Sequence, residues 1–123
     1  MATNMMSFSR RFQMWAYAVG HSQLLLRSPK SADLPTRIDV FFKNVAFICL
    51  PTMCDGLAVS TATLEEETKL RSQFSFPRQV GRKLFVVSGA DFTGYVVAGA
   101  VASYEDEREY DDPSHFALMP NNP

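Results

Sequence analysis

Apolar side chains in this sequence recur at every second position, and that period decides what the chain can fold into. Through residues 37–43, Ile38, Val40 and Phe42 alternate with Asp39, Phe41 and Lys43. Through residues 11–19, Phe12, Met14, Ala16 and Ala18 alternate with Arg11, Gln13, Trp15, Tyr17 and Val19. Successive side chains of a strand point to opposite faces, so this spacing builds sheet. Aromatic residues occur on both parities, which asks for cover on the second face as well as the first.

Further strand-like runs lie at 23–28, 57–63, 83–88 and 92–104, separated by turn- and loop-forming residues at 20–22, 28–36, 51–56, 75–81 and 89–91. The run 37–50 either turns at Lys43-Asn44 or continues as one long bent strand with a bulge. Ala98-Gly99-Ala100 leaves a helix open for 92–104, although Val96, Val97 and Val101 favour strand. Six or seven strands without long crossovers predict a mainly β (α+β) fold. The architecture is an antiparallel meander forming a sandwich or a partly open barrel.

One helix is expected, and its start is written in local chemistry. Thr63-Leu64-Glu65-Glu66 fits a capping box, in which Thr63 and Glu66 satisfy each other's backbone amides. Acids fill the first turn (Glu65, Glu66, Glu67) and Lys69 and Arg71 follow, in accord with the helix dipole. The helix is placed at 64–73, with Pro77 preventing continuation. Its apolar face is thin, which predicts that it covers one edge or opening of the sheet.

A chain of 123 residues with 46% hydrophobic and 20% charged residues is the size and composition of one ordinary domain. The boundaries read as a flexible N-terminus at 1–9, a β-rich domain at 10–104 and an acidic, proline-containing tail at 105–123. Residues 105–112 (EDEREYDD) carry a net charge of −5 in a chain of net charge −1, which leaves a weakly basic body of +4. That distribution disfavours nucleic-acid binding, which asks for a larger basic excess on one face. No secretory signal is visible, and the longest apolar run, 95–102, is short of the ~18 residues a membrane helix needs. The expectation is a cytoplasmic protein with no membrane partner.

The residues able to do chemistry do not converge. Cys49 and Cys54 form a C-x4-C pair, and His21 and His115 are isolated, so four zinc ligands are not in prospect and no metal or cofactor is expected. His21, in a turn, and Asp39, on a strand, are the weak candidates for acid–base work; no G-x-S-x-G elbow or phosphate-binding glycine loop accompanies them. Arg37-Ile38-Asp39 reads more readily as an ion pair to a neighbouring strand. The acidic stretch has two readings, a solvated tail or a docking strip for a basic partner with Tyr104 and Tyr110 as anchors.

No residue pattern therefore states an activity, and enzymatic function stays undecided, with catalysis disfavoured. The leading expectation is a non-enzymatic interaction module that binds a protein partner or forms a homo-oligomer, through Trp15, Tyr17, Tyr104, Glu105, Asp106, Glu107 and Tyr110. The alternative is a small-molecule-binding barrel with an apolar cavity and His21 and Asp39 at its mouth. The two readings differ in one geometric respect: whether the interior is filled or hollow.

Overall fold

The computed structural model describes residues 4–75 and 81–116; the parts of the expected N-terminus, second loop and C-terminal tail that fall at 1–3, 76–80 and 117–123 lie outside them. Eight strands form one antiparallel sheet: β1 (Asn4–Ala18), β2 (Gln23–Ser28), β3 (Arg37–Lys43), β4 (Phe47–Cys49), β5 (Met53–Thr61), β6 (Lys83–Ser88), β7 (Thr93–Ala98) and β8 (Ala100–Asp106). The single helix, α1, spans Leu64–Gln73. The strand order is β4-β7-β6-β5-β1-β2-β3-β8.

That order forces the sheet to curl. With strands about 4.8 Å apart, the outer members of a flat eight-stranded sheet would stand about 34 Å from each other. Yet β7 continues into β8, at the opposite end of the order, across Gly99 alone, and β3 reaches β4 across residues 44–46. The two ends therefore meet at one corner, where Gly99 N–H donates to the Lys43 carbonyl (2.9 Å) and Ala46 N–H to the Val97 carbonyl (2.8 Å). Asn44 turns this corner with φ 56°, a left-handed conformation that asparagine tolerates. The run 37–50 is thus interrupted where the sequence placed its turn or bulge. The run 92–104 is strand from Thr93 and not helix, broken at Gly99.

Side chains of one parity fill the inside of the curl. Phe12, Leu24, Val40, Phe42, Val59, Phe85 and Val96, from six different strands, belong to one buried cluster. Strands pack so closely at one side that a Cβ on Gly94 would lie 2.4 Å from the Cys49 carbonyl oxygen, so only glycine fits there. A void of about 10 Å³ lies beside Phe12, Leu57 and Phe92, room for one water at most.

Three expectations need correction. The strand begins at Asn4, not after residue 9, because the first half of β1 pairs with β5 and its Met6 and Phe8 pack on the interior cluster. The sheet also extends past 104, since β8 pairs with β3 as far as Asp106. Finally, α1 does not cover an opening. Its buried Leu70 packs on Leu84 and Val97, which face away from the interior occupied by Phe85 and Val96, so the helix lies on the outside of β6 and β7.

The capping box is present in full: Thr63 Oγ1 accepts from Glu66 N–H (3.1 Å) and Glu66 Oε1 accepts from Thr63 N–H (2.8 Å). Arg71 binds Glu67 one turn earlier at 3.0 Å. Replacing Thr63 by Ala should destabilise the protein by about 1 kcal/mol, read as a lower urea midpoint with an unchanged slope.

Candidate functional site

The outer face of β2, β3 and β8 is the unusual part of the molecule. Strand register sets Arg27 opposite Asp39 and Asp39 opposite Tyr104. Arg37 lies opposite Asp106, and Phe41 opposite Ala102. Because Ile38, Val40 and Phe42 point inward, the alternating Arg37, Asp39 and Phe41 must point outward. Outward residues of a small barrel normally meet water. Here Arg27, Arg37 and Asp39 are no more than 2% exposed.

Their charges are matched within the sheet. Arg27 grips the Asp39 carboxylate with two parallel bonds, Nε to Oδ1 at 2.7 Å and Nη2 to Oδ2 at 3.1 Å, the strong fork geometry for this pair. Arg37 stands 3.8 Å from Asp39 Oδ2 and 3.5 Å from Asp106 Oδ1. Carboxylates cannot satisfy every guanidinium N–H: Arg37 Nε is left without a hydrogen bond, and other donors find acceptors in the segment 107–116, which lies across this face. Arg27 Nη1 donates to the Tyr110 carbonyl (3.0 Å). Arg37 donates to the carbonyls of Glu109 (2.9 Å), Asp112 (2.7 Å) and Pro113 (3.0 Å).

Rings and outer charges complete the seam. The Arg27 guanidinium lies 4.9 Å over the Trp15 ring, whose other contact is the edge-on ring of Tyr110 at 5.3 Å. His115 stacks on Tyr104 (3.5 Å between centroids) and Phe116 on Phe41 (4.9 Å). Lys30 holds the Glu109 carboxylate at 2.8 Å and the Glu107 carbonyl at 3.2 Å, and its amine is pushed above the ordinary lysine value chiefly by that bond to Glu109. Arg10 ties the end of β2 to Thr36 and lies 3.9 Å from Glu105. The solvated tail expected after Glu105 is therefore, through residue 116, a strap over the sheet. Its acidity suggested solvation, but its main-chain carbonyls do the binding, and composition does not display those.

Of the residues proposed for partner binding, Trp15, Tyr104, Asp106, Glu107 and Tyr110 are gathered at this seam, whereas Glu105, opposite the inward Ile38, accepts from Thr36 Oγ1 on the other face. Tyr17 is not: it pairs with Leu24 near the end of β1 and is 37% exposed. The two acid–base candidates stay apart in character. His21 is exposed in a 3-10 turn, Val19–His21, whereas Asp39 is buried with both oxygens on Arg27. Cys49 and Cys54 are half-buried free thiols. Among the described residues no three His, Cys, Asp or Glu side chains gather as metal ligands, and no helix is long and apolar enough to cross a membrane. Among the residues missed in sequence are Arg27 and Lys30. The available signal for Arg27 was a charge at the outward position of an otherwise apolar strand, Leu24-Leu25-Leu26-Arg27.

No family model matches the chain, and no curated protein or solved structure matches it.

Two measurements probe this chemistry. Asp39→Ala leaves Arg27 buried without its counter-charge and should cost about 3–5 kcal/mol in urea unfolding; the Arg27→Met/Asp39→Leu double variant should cost less than the sum of the singles. Burial pushes the Cys54 thiol above its ordinary value, with the charges of Asp55 and Asp91 adding to the shift. The folded state then resists ionisation that the unfolded chain accepts, so stability falls as pH rises through the ordinary thiol range, from about 8.5. In Cys54→Val that alkaline fall should be shallower.

Proposed function

We propose that this protein is a non-enzymatic interaction module that binds a protein partner, or a second copy of itself, through the outer face of β2, β3 and β8 with the strap laid over it. The observation that carries the reading is the gathering of aromatic and charged residues on one outer face while the interior is packed with side chains. Tyr104 and Tyr110 remain 42% and 51% exposed there, in keeping with the amphipathic rings enriched at interfaces. Around them stand the carboxylates of Glu107, Glu109 and Asp111, all on exposed residues, which would accelerate and select encounters.

The small-molecule reading has less in its favour. A ligand pocket is usually at least ~300 Å³, whereas the void beside Phe12, Leu57 and Phe92 is about 10 Å³. A groove of about 170 Å³ lies outside, between α1 and β6–β7, lined by Glu66, Lys69, Gln73 and Tyr95 among others. It contains neither His21 nor Asp39.

The test compares the native protein with a variant carrying Glu107→Gln, Glu109→Gln and Asp111→Asn. The native protein should either dimerise in sedimentation velocity or retain defined proteins on an affinity column. The variant should lose at least tenfold in that affinity at low salt while keeping its unfolding free energy in urea within about 0.5 kcal/mol, the usual range for surface changes. A native monomer whose retained proteins are the same as the variant's would end this reading.

A further inference from the structure

We propose that the outer face of β2, β3 and β8 is a peptide-binding groove that residues 107–116 fill in cis, and that its intermolecular ligand is an extended acidic, aromatic-bearing segment of a partner protein. This rests on the reading above that the same face is the interaction surface, and it adds what the face recognises.

The manner of attachment is that of a ligand and not of a strand. Among the described residues no main-chain hydrogen bond joins 107–116 to the sheet; the one within the segment runs from Asp112 N–H to the Glu109 carbonyl. Attachment comes instead from side chains of the barrel: arginine donors on four carbonyls, Lys30 on Glu107 and Glu109, and Trp15, Tyr104 and Phe41 as seats for rings. Carbonyls are common to every peptide, so these donors fit any extended chain that follows the same path. Rings and acids would supply the selectivity.

The groove is also organised without its occupant. Arg27 is oriented by Asp39 and stacked on Trp15, and Arg37 sits beside Asp39 and Asp106; all belong to the sheet. Donors held in place before binding avoid the ordering cost of binding.

Charge points to the ligand. Against the strap lie Arg27, Lys30 and Arg37, with Asp39 and Asp106 as the acids among them, whereas strap residues 107–112 carry −3. With the strap down this face repels acidic chains, and with the strap lifted it attracts them. The in-cis segment has an effective concentration of order millimolar, so a competing peptide binds measurably only when the strap is weakened or the partner is better matched.

The experiment uses the full chain with Tyr110→Ala and Phe116→Ala, which remove two strap rings and leave the groove intact. The probe is a fluorescein-labelled peptide with the sequence of residues 105–116, EDEREYDDPSHF, followed by anisotropy and by emission of Trp15, the one tryptophan. The variant should bind at least tenfold more tightly than the native protein, shift Trp15 emission on binding, and prefer the peptide over a scrambled one at least fivefold. Equal affinity for native protein and variant, or for native and scrambled peptide, overturns the proposal. So does a variant that sediments as a dimer, because the strap then exchanges between copies, or one that prefers a 12-nucleotide oligo-dT to the peptide. If the double variant does not unfold cooperatively, His115→Ala takes its place under the same criteria. A negative result here leaves the preceding test standing, since a partner can still dock on the closed, acidic surface.

Discussion

The Arg27–Asp39 ion pair dictates how the outside of this barrel is built. A charged pair taken from water costs several kcal/mol per ion, and its attraction repays that only if the leftover donors are also satisfied. Asp39 uses both oxygens on Arg27, so Arg27 Nη1 and the far side of Arg37 still need acceptors. Two further strands could not provide them, because strand carbonyls are committed to the ladder. A segment of irregular backbone can, and residues 107–116 turn four carbonyls toward the arginines. The strap is thus the consequence of placing two arginines at outward positions on β2 and β3.

Local chemistry was legible in the sequence and long-range pairing was not. The capping box located α1 at Leu64–Gln73, and the short runs at Gln23–Ser28 and Lys83–Ser88 are strands with the bounds their patterning suggested. In each case the signal lies within the segment itself. The first half of β1 was hidden because Ser7, Ser9 and Arg10 dilute its alternation, and what makes it a strand is β5, some fifty residues away. The place of the helix was hidden for a similar reason. Only the pairing of Leu84 with Val97 creates the outer apolar patch that Leu70 covers.

The site was half visible. Aromatic and acidic residues stood out by type, and most of those named come together at one seam. What joins them, a set of arginine donors meeting main-chain carbonyls, leaves little trace in composition, since every residue has a carbonyl. Asp39 shows the converse. As a lone acid on an apolar strand it invited a catalytic reading, but register places it opposite Arg27, and its oxygens are spent on holding that side chain. His21, exposed in its turn, has no comparable partner among the hydrogen bonds and ion pairs of the described residues.

The strap follows every strand in chain order, and this gives the protein a direction in time. As the polypeptide leaves the ribosome, β3 brings Arg37 and Asp39 up against Arg27 long before residues 107–116 are made. Until then the two arginines' outward donors have only water to meet. The face therefore closes only after β8, the last of its three strands, has been made.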